Sequence, residues 1–386
     1  MAPVRMATGL VATDGGVDAF AEAASRAQLG LGGAPADLVA VFAGGPNLAS
    51  AEDGLAAIEA RLGSGALMGC GAQGVLGAGR ELEHGGVVVW AASLGGGEAQ
   101  SFHLEALATG EDGLVIAGLP DLDGAGAMIM LADPYSFPVE PLLAQLGEDF
   151  PGLPVIGGLA SARGADGCVL MHDDAVAHSG AVGVVLRGVD VRPCVSQGAR
   201  PIGPEMVITA ADGNVVHELA SRPALVRLRE AISELGPEER LLAAHGLLLG
   251  IVIDENRPDY LRGDFLVRGL VDVDDETGAV TVGDLVRVGQ TARLQVRDGM
   301  SADEDLREVL AGQLRELSAP PAGALVFTCN GRGVGMFGAP DHDAAALEDA
   351  FGDVSAAGFF CAGEIGPVGK RNFLHGFTAT MAVFPG

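Results

Sequence analysis

One order of elements occurs three times along this chain, and that recurrence constrains the fold more than any other feature. From Asp37 the chain reads DLVAVFAGG, an apolar run of strand length. ASAEDGLAAIEARLG follows, with Leu55, Ile58 and Leu62 at helical spacing. ALMGCGAQG is a strand running into a glycine-rich turn, and GGVVVWAASL is a closing strand. The same order returns from Ala127: AMIMLADPYSF, PVEPLLAQLGEDF, LPVIGGLASARG and GAVGVVLRG. It returns again from Gly323: GALVFTCNGRG, DHDAAALEDAFG, AAGFFCAGEIGPVGKRN and LHGFTATMAVF. Each copy spans about 55 to 60 residues.

A strand, a helix and a second strand in this order predict a parallel pair joined by a crossover. The last strand follows a turn and is expected to run antiparallel. Several strands are apolar throughout, so both faces are expected to be covered. These patterns specify an α/β chain whose mixed sheets stack on one another with helices outside, an α-β-β-α arrangement. The stretch between the second and third copies differs. PALVRLREAISEL, with Ser221 as cap, and MSADEDLREVLAGQLREL, with Ser301 and Glu304 as a capping box, are predicted helices. DETGA is a predicted hairpin turn between β-rich runs. The cluster RPIGP near Arg200 breaks the pattern. Two domains are therefore expected, 1–200 with two copies and 201–386 with the third.

With 386 residues, 48 % of them apolar, the chain can bury a sizeable core. Its formal net charge of −28 disfavours nucleic acid and anionic membrane as partners. The basic residues are almost all Arg, with Lys370 the single lysine, a skew read as genomic codon bias. No apolar run approaches the roughly 18 residues of a spanning helix, and the N-terminal residues lack a signal-peptide core. The five cysteines form no CxxC pair, which fits a reducing cytoplasm better than a disulfide framework.

Aligning the three glycine turns as Gly71–Gly74, Gly158–Ser161 and Gly363–Gly366 sets Ala72, Leu159 and Glu364 in one position. Only the third copy carries a carboxylate there, although the turn does not require one, so Glu364 is the residue to single out. A solvated or capping turn glutamate is the equally weighted structural alternative. Cys361, Gly363 and Arg371 lie close to it in sequence, and Cys329, Asn330 and Arg332 end the partner strand. Ligands of α/β sheets bind at the carboxyl ends of strands. These seven residues therefore form the candidate ligand-binding set. Glu364 would receive an ammonium, and Arg332 or glycine amides a carboxylate.

Cys329 or Cys361 as a nucleophile is the competing reading, with His375 as a possible base and an inert buried thiol as the commoner case. The P-loop pattern is absent, and GxGxxG at Gly69–Gly74 is followed by no helical pattern. His172, Asp173, Asp174 and His178 match no strong metal-ligand spacing. Asp341, His342 and Asp343 read as caps of the following helix. No metal and no cofactor are expected.

GALVFTCNGRG and AAGFFCAGEIGPVGKRNFLHGFTATMAVF resemble the C-terminal FIST domain, as does YLRGDFLVRGLVDVDDETGAVTVGDLVRVGQTARLQVRD upstream. DLVAVFAGG, ALMGCGAQGVLG and LPVIGGLASARG resemble, more loosely, the N-terminal FIST domain. The resemblance implies an intracellular sensory module of signal transduction that binds small ligands, amino acids among them. It supplies no catalytic residues. Some members fuse these domains to output modules; here a small-molecule ligand and a separate signalling protein are the expected partners. A protein-interaction adaptor and a thiol-dependent enzyme remain the alternatives.

Overall fold

A computed structural model describes residues 3–63, 65–110, 113–165 and 167–386. The first copy begins earlier than Asp37. It comprises β1 (Arg5–Val11), α1 (Val17–Leu31), β2 (Leu38–Gly44), α2 (Ala51–Leu62), β3 (Ala66–Gly71), the hairpin β4 (Val75–Gly77) and β5 (Arg80–Leu82), and β6 (Gly86–Ser93). The second holds β7 (Glu98–Thr109), β8 (Gly113–Ala117), β9 (Ala127–Ala132), α3 (Val139–Asp149) and β10 (Val155–Leu159). It continues through β11 (Arg163–Gly164), β12 (Gly167–Cys168), the hairpin β13 (Leu170–His172) and β14 (Ala175–Ala177), and β15 (Ala181–Arg187). After β16 (Arg192–Gln197) come β17 (Ala199–Asp212), β18 (Val215–Leu219), β19 (Arg222–Pro223), α4 (Ala224–Glu234) and α5 (Pro237–His245). Next are β20 (Leu247–Val252), β21 (Phe265–Val273), β22 (Val280–Val282), β23 (Thr291–Arg297) and α6 (Gly299–Glu316). The third copy closes the chain with β24 (Gly323–Cys329), α7 (Val334–Phe337), α8 (His342–Phe351), β25 (Ser355–Cys361), the hairpin β26 (Glu364–Val368) and β27 (Arg371–His375), and β28 (Thr378–Phe384).

The fold is α/β with mixed sheets. In each copy the first two strands are parallel (β2 and β3, β9 and β10, β24 and β25), and the last strand lies antiparallel on the far side of the first. What the sequence did not disclose is an exchange. The hairpin after each glycine turn leaves its own copy and joins the sheet of another. β4 pairs with β25, β13 with β3, and β26 with β10. The first copy thus gives its hairpin to the third, the third to the second, and the second to the first. The resulting sheets run β1-β6-β2-β3-β13-β14, β8-β7-β15-β9-β10-β26-β27 and β16-β28-β24-β25-β4-β5.

Alternation along β2 shows where these sheets face. Leu38, Ala40 and Phe42 enter a core shared with Ile129, Leu131, Phe327 and Phe359 of the other two sheets, whereas Val39, Val41 and Ala43 pack under α1 and α2. Three sheets, and not two stacked ones, therefore converge on one core. α3 covers the outer face of the second sheet, and α8 that of the third.

The compact units cut across a linear division at residue 200. One comprises the chain up to Val195, Leu306–Leu374 and Ala379–Gly386; the other comprises Ser196–Asp305 and His375–Thr378. The physical reason is the exchange, which binds the third copy to the first two. The second unit is an antiparallel sheet, β17-β23-β20-β21-β22-β18-β19, with its own core around Ile208, Leu228, Leu249 and Leu294. Two predicted caps shift. Asp298, not Ser301, starts α6, accepting the Ser301 N–H and hydroxyl at 2.7 Å each. Pro223 precedes α4, while the Ser221 N–H donates to Thr209.

Candidate functional site

Strand register fixes which residues of the three copies are equivalent, and it revises the alignment of the glycine turns. Gly69, Gly157 and Gly358 stand opposite Val41, Met130 and Val326 on the parallel partner strands. A Cβ on any of them would lie within 2.2 Å of that partner's carbonyl oxygen, so the close approach admits only glycine. One residue on, Cys70, Gly158 and Phe359 each receive the first residue of an exchanged hairpin: Leu170, Glu364 and Val75 respectively. Glu364 is therefore equivalent to Val75 and Leu170, not to Ala72 and Leu159. Val75 and Leu170 are core residues; Glu364, also 0 % exposed, puts a carboxylate where two copies bury a branched aliphatic.

The carboxyl ends of β24 and β25 meet beside it. Cys329 and Cys361 are direct register partners, and the Asn330 N–H donates to the Cys361 carbonyl at 2.9 Å. Cys329 is half-buried and Asn330 exposed, so this pair forms the solvent-facing edge of the cluster. The Gly331 N–H donates to Cys329 Sγ at 3.5 Å. Arg332, by contrast, is only 3 % exposed. Its Nε and Nη2 donate to Asp343 Oδ2 and Oδ1, both at 2.7 Å. Asp343 also accepts from the Thr328 hydroxyl at 2.7 Å and lies 2.9 Å from His342 Nδ1. Burial alone would raise the Asp343 carboxyl; the guanidinium and these hydrogen bonds override it and hold the group well below the ordinary carboxylate range. Phe337 of α7 covers the Arg332 guanidinium at 5.0 Å and stacks on His342.

Cys329, Asn330, Arg332, Cys361 and Glu364 are thus brought together. Gly363 is adjacent, its carbonyl accepting the Leu159 N–H, but it faces Leu159 and Leu374. Arg371 is not part of the cluster: it is exposed on β27, over the Phe373 ring. Asp343 occupies the Nε/Nη2 edge of Arg332, while Arg332 Nη1 is buried with no hydrogen-bond partner among the described residues. Burial, with Glu364, Cys70 and Cys329 adding to it, pushes the Cys361 thiol well above its ordinary value, the opposite of an activated nucleophile.

Two acidic residues, Glu81 and Glu83, escaped the sequence reading, and a third has another role than expected. Asp343 was expected to cap α8 and instead turns inward to Arg332. The cap comes from Glu81 on β5, whose Oε1 accepts the Asp343 and Ala344 N–H groups at 2.8 and 3.0 Å. Glu83 accepts the Val334 N–H at 2.6 Å. Both belong to the exchanged hairpin segment, so no local pattern could have linked them to the third copy. Asp341, at the α8 N-cap, accepts instead from the Glu81 N–H and Arg80 Nε. Among the described residues no group of three His, Cys, Asp or Glu is placed to hold a metal ion.

The N-terminal FIST domain model matches residues 37–222, and the C-terminal FIST domain model matches residues 224–367. This chain belongs to the FIST family. The chain is similar to "Uncharacterized protein Rv0628c" of Mycobacterium tuberculosis (strain ATCC 25618 / H37Rv), 45 % identical over 368 residues, 95 % of this chain and 96 % of the relative. It is also similar to "Uncharacterized protein Mb0898c" of Mycobacterium bovis (strain ATCC BAA-935 / AF2122/97), 42 % identical over 383 residues, 99 % of each. FIST domains are associated with sensing in signal transduction. The two FIST matches meet within the second compact unit, so the family division is one of sequence and not of packing. No helix among the described residues is long and apolar enough to cross a membrane.

Proposed function

We propose that this FIST chain is a cytoplasmic sensor that binds a small molecule at Cys329 and Asn330, beside Glu364 and the Arg332–Asp343 pair, and signals through a separate protein. The carrying observation is Glu364. Two equivalent positions hold Val75 and Leu170, so a carboxylate there is not demanded by the architecture. Burying one costs stability unless it is paired and hydrogen-bonded, a cost that Val75 and Leu170 do not carry. With the Nε/Nη2 edge of Arg332 occupied, the ligand contacts fall to Cys329, Asn330, backbone amides, Arg332 Nη1 and Glu364. An amine-bearing metabolite, an amino acid among them, suits an acidic residue at that depth. Five free cysteines fit a reducing compartment.

The test is a thermal-shift screen of amino acids and common metabolites on the native chain and on Glu364→Gln. A ligand at about 100 times its dissociation constant stabilises the fold by about 2.7 kcal/mol. A shift confined to one compound class and lost in the variant supports the sensor. No shift across the panel overturns the small-ligand reading for those compounds. The adaptor reading has one observation of its own: Leu107, Leu114 and Val115 are 47 to 50 % exposed on the β7–β8 hairpin.

A further inference from the structure

Loop 330–341 carries Asn330 and Arg332 of the candidate site, and besides the Arg332–Asp343 pair one further element holds it. The β4–β5 hairpin segment grips both ends. Glu83 takes the Val334 N–H at the start of α7, and Glu81 takes two N–H groups at the start of α8. The Glu81 N–H and Arg80 Nε bind the Asp341 carboxylate between them. Glu81 is 7 % exposed, and its Oε2 is buried without a hydrogen-bond partner among the described residues.

A buried carboxylate that caps a helix while facing a second carboxylate is under opposed forces. The two amides and the α8 N-terminus favour its ionised form. Burial and Asp343 disfavour it. From α8 it faces Asp343 and His342; along its own segment and the loop lie Arg80, Glu83 and Asp341; Arg332 stands behind Asp343. We infer that Glu81 is a proton-controlled latch on loop 330–341: as the neutral acid it keeps the loop and the start of α8 closed, and as the carboxylate it releases them. The direction follows from linkage. Opening gives Glu81 water, so the open state prefers the ion and the closed state prefers the acid. Burial, then Asp343, pushes Glu81 up to about 7, which puts the change near neutral pH. The inference deepens the ligand-binding reading and rests on it, since the loop supplies Asn330 and Arg332 to that site.

Hydrogen exchange of the Val334, Asp343 and Ala344 amides, without ligand and corrected for intrinsic rates, tests it between pH 5.5 and 8. The expected result is at least about tenfold more opening at pH 8 in the native chain, and a flat profile in Glu81→Gln. A flat native profile, or a slope retained in the variant, overturns the latch. The native profile decides alone if the variant does not fold. Because no ligand is present, failure here is separate from failure of the ligand screen.

Discussion

Arg332 and Asp343 face each other edge to edge, with two hydrogen bonds of 2.7 Å inside a packed interior. Removing one partner strands the other charge without water. Arg332→Met and Asp343→Leu are each expected to lower stability by about 3 to 5 kcal/mol, and Arg332→Met/Asp343→Leu by clearly less than the sum. Trp90, the single tryptophan and fully buried, reports this through urea unfolding. Additive losses would deny the coupling.

Two carboxylates of one network give pH slopes of opposite sign. Asp343 is held below its ordinary range, so its share of stability is complete above the unfolded value and is lost as acid titrates it. Glu81 is pushed from 4.5 up to about 7, so stability falls as pH rises across that window. The span corresponds to about 3 kcal/mol. Glu81→Gln is expected to remove the slope between pH 5 and 7.5 and to leave the acid limb. Urea midpoints at half-unit pH steps check both.

If Glu364 is kept for a ligand, the fold does not need its charge. Glu364→Leu, which restores the aliphatic character of Val75 and Leu170, is expected to be neutral or to stabilise by about 1 to 3 kcal/mol. Val75→Glu, the reverse change at an equivalent position, is expected to destabilise by several times that margin or to prevent folding. Thermal denaturation of both variants decides the matter; a large loss in Glu364→Leu would make the carboxylate structural.

The glycines separate into two kinds. A Cβ at Gly358 would sit 1.8 Å from the Val326 carbonyl oxygen, and Gly358→Ala is expected to cost more than about 2 kcal/mol or to abolish soluble expression. Gly147 lies in α3 with nothing within 4 Å of its would-be Cβ. Gly147→Ala is expected to stabilise by about 0.5 to 1 kcal/mol through helix propensity. Melting temperatures of the two variants should move in opposite directions.

Exposure orders the thiols. Cys329 is half-buried, whereas Cys70, Cys168, Cys194 and Cys361 are buried. Iodoacetamide at neutral pH is expected to label Cys329 first in the native chain, followed by mass spectrometry. Selective labelling of Cys361 would instead revive the thiol-enzyme alternative.

Much of the fold was legible because each copy announces itself locally. Apolar runs such as Leu38–Gly44 and the helical spacing of Leu55, Ile58 and Leu62 name their elements without reference to distant chain. The exchanged hairpins were not legible. β4 is three residues long, and its partner Phe359 lies hundreds of residues away. The glycine turns misaligned for the same reason: glycines abound near the turns, and only strand register shows that Gly69, Gly157 and Gly358 correspond. Glu364 was nonetheless found, because a charge in a run of small and apolar residues stands out under either alignment. Asp343 was read as a cap because DHD stands before a helix, while the actual cap, Glu81, comes from another copy.

The exchange also determines what can be cut from this chain. Every copy is both donor and acceptor of one hairpin, so donors and acceptors balance only when all three are present. Ending the chain at residue 200 removes β25 and β26 together. It leaves β10 with an unpaired apolar edge and the β4–β5 hairpin with no sheet to join. The three copies share one fate in folding: the ring closes on its last strands, and any fragment carries one vacancy and one surplus.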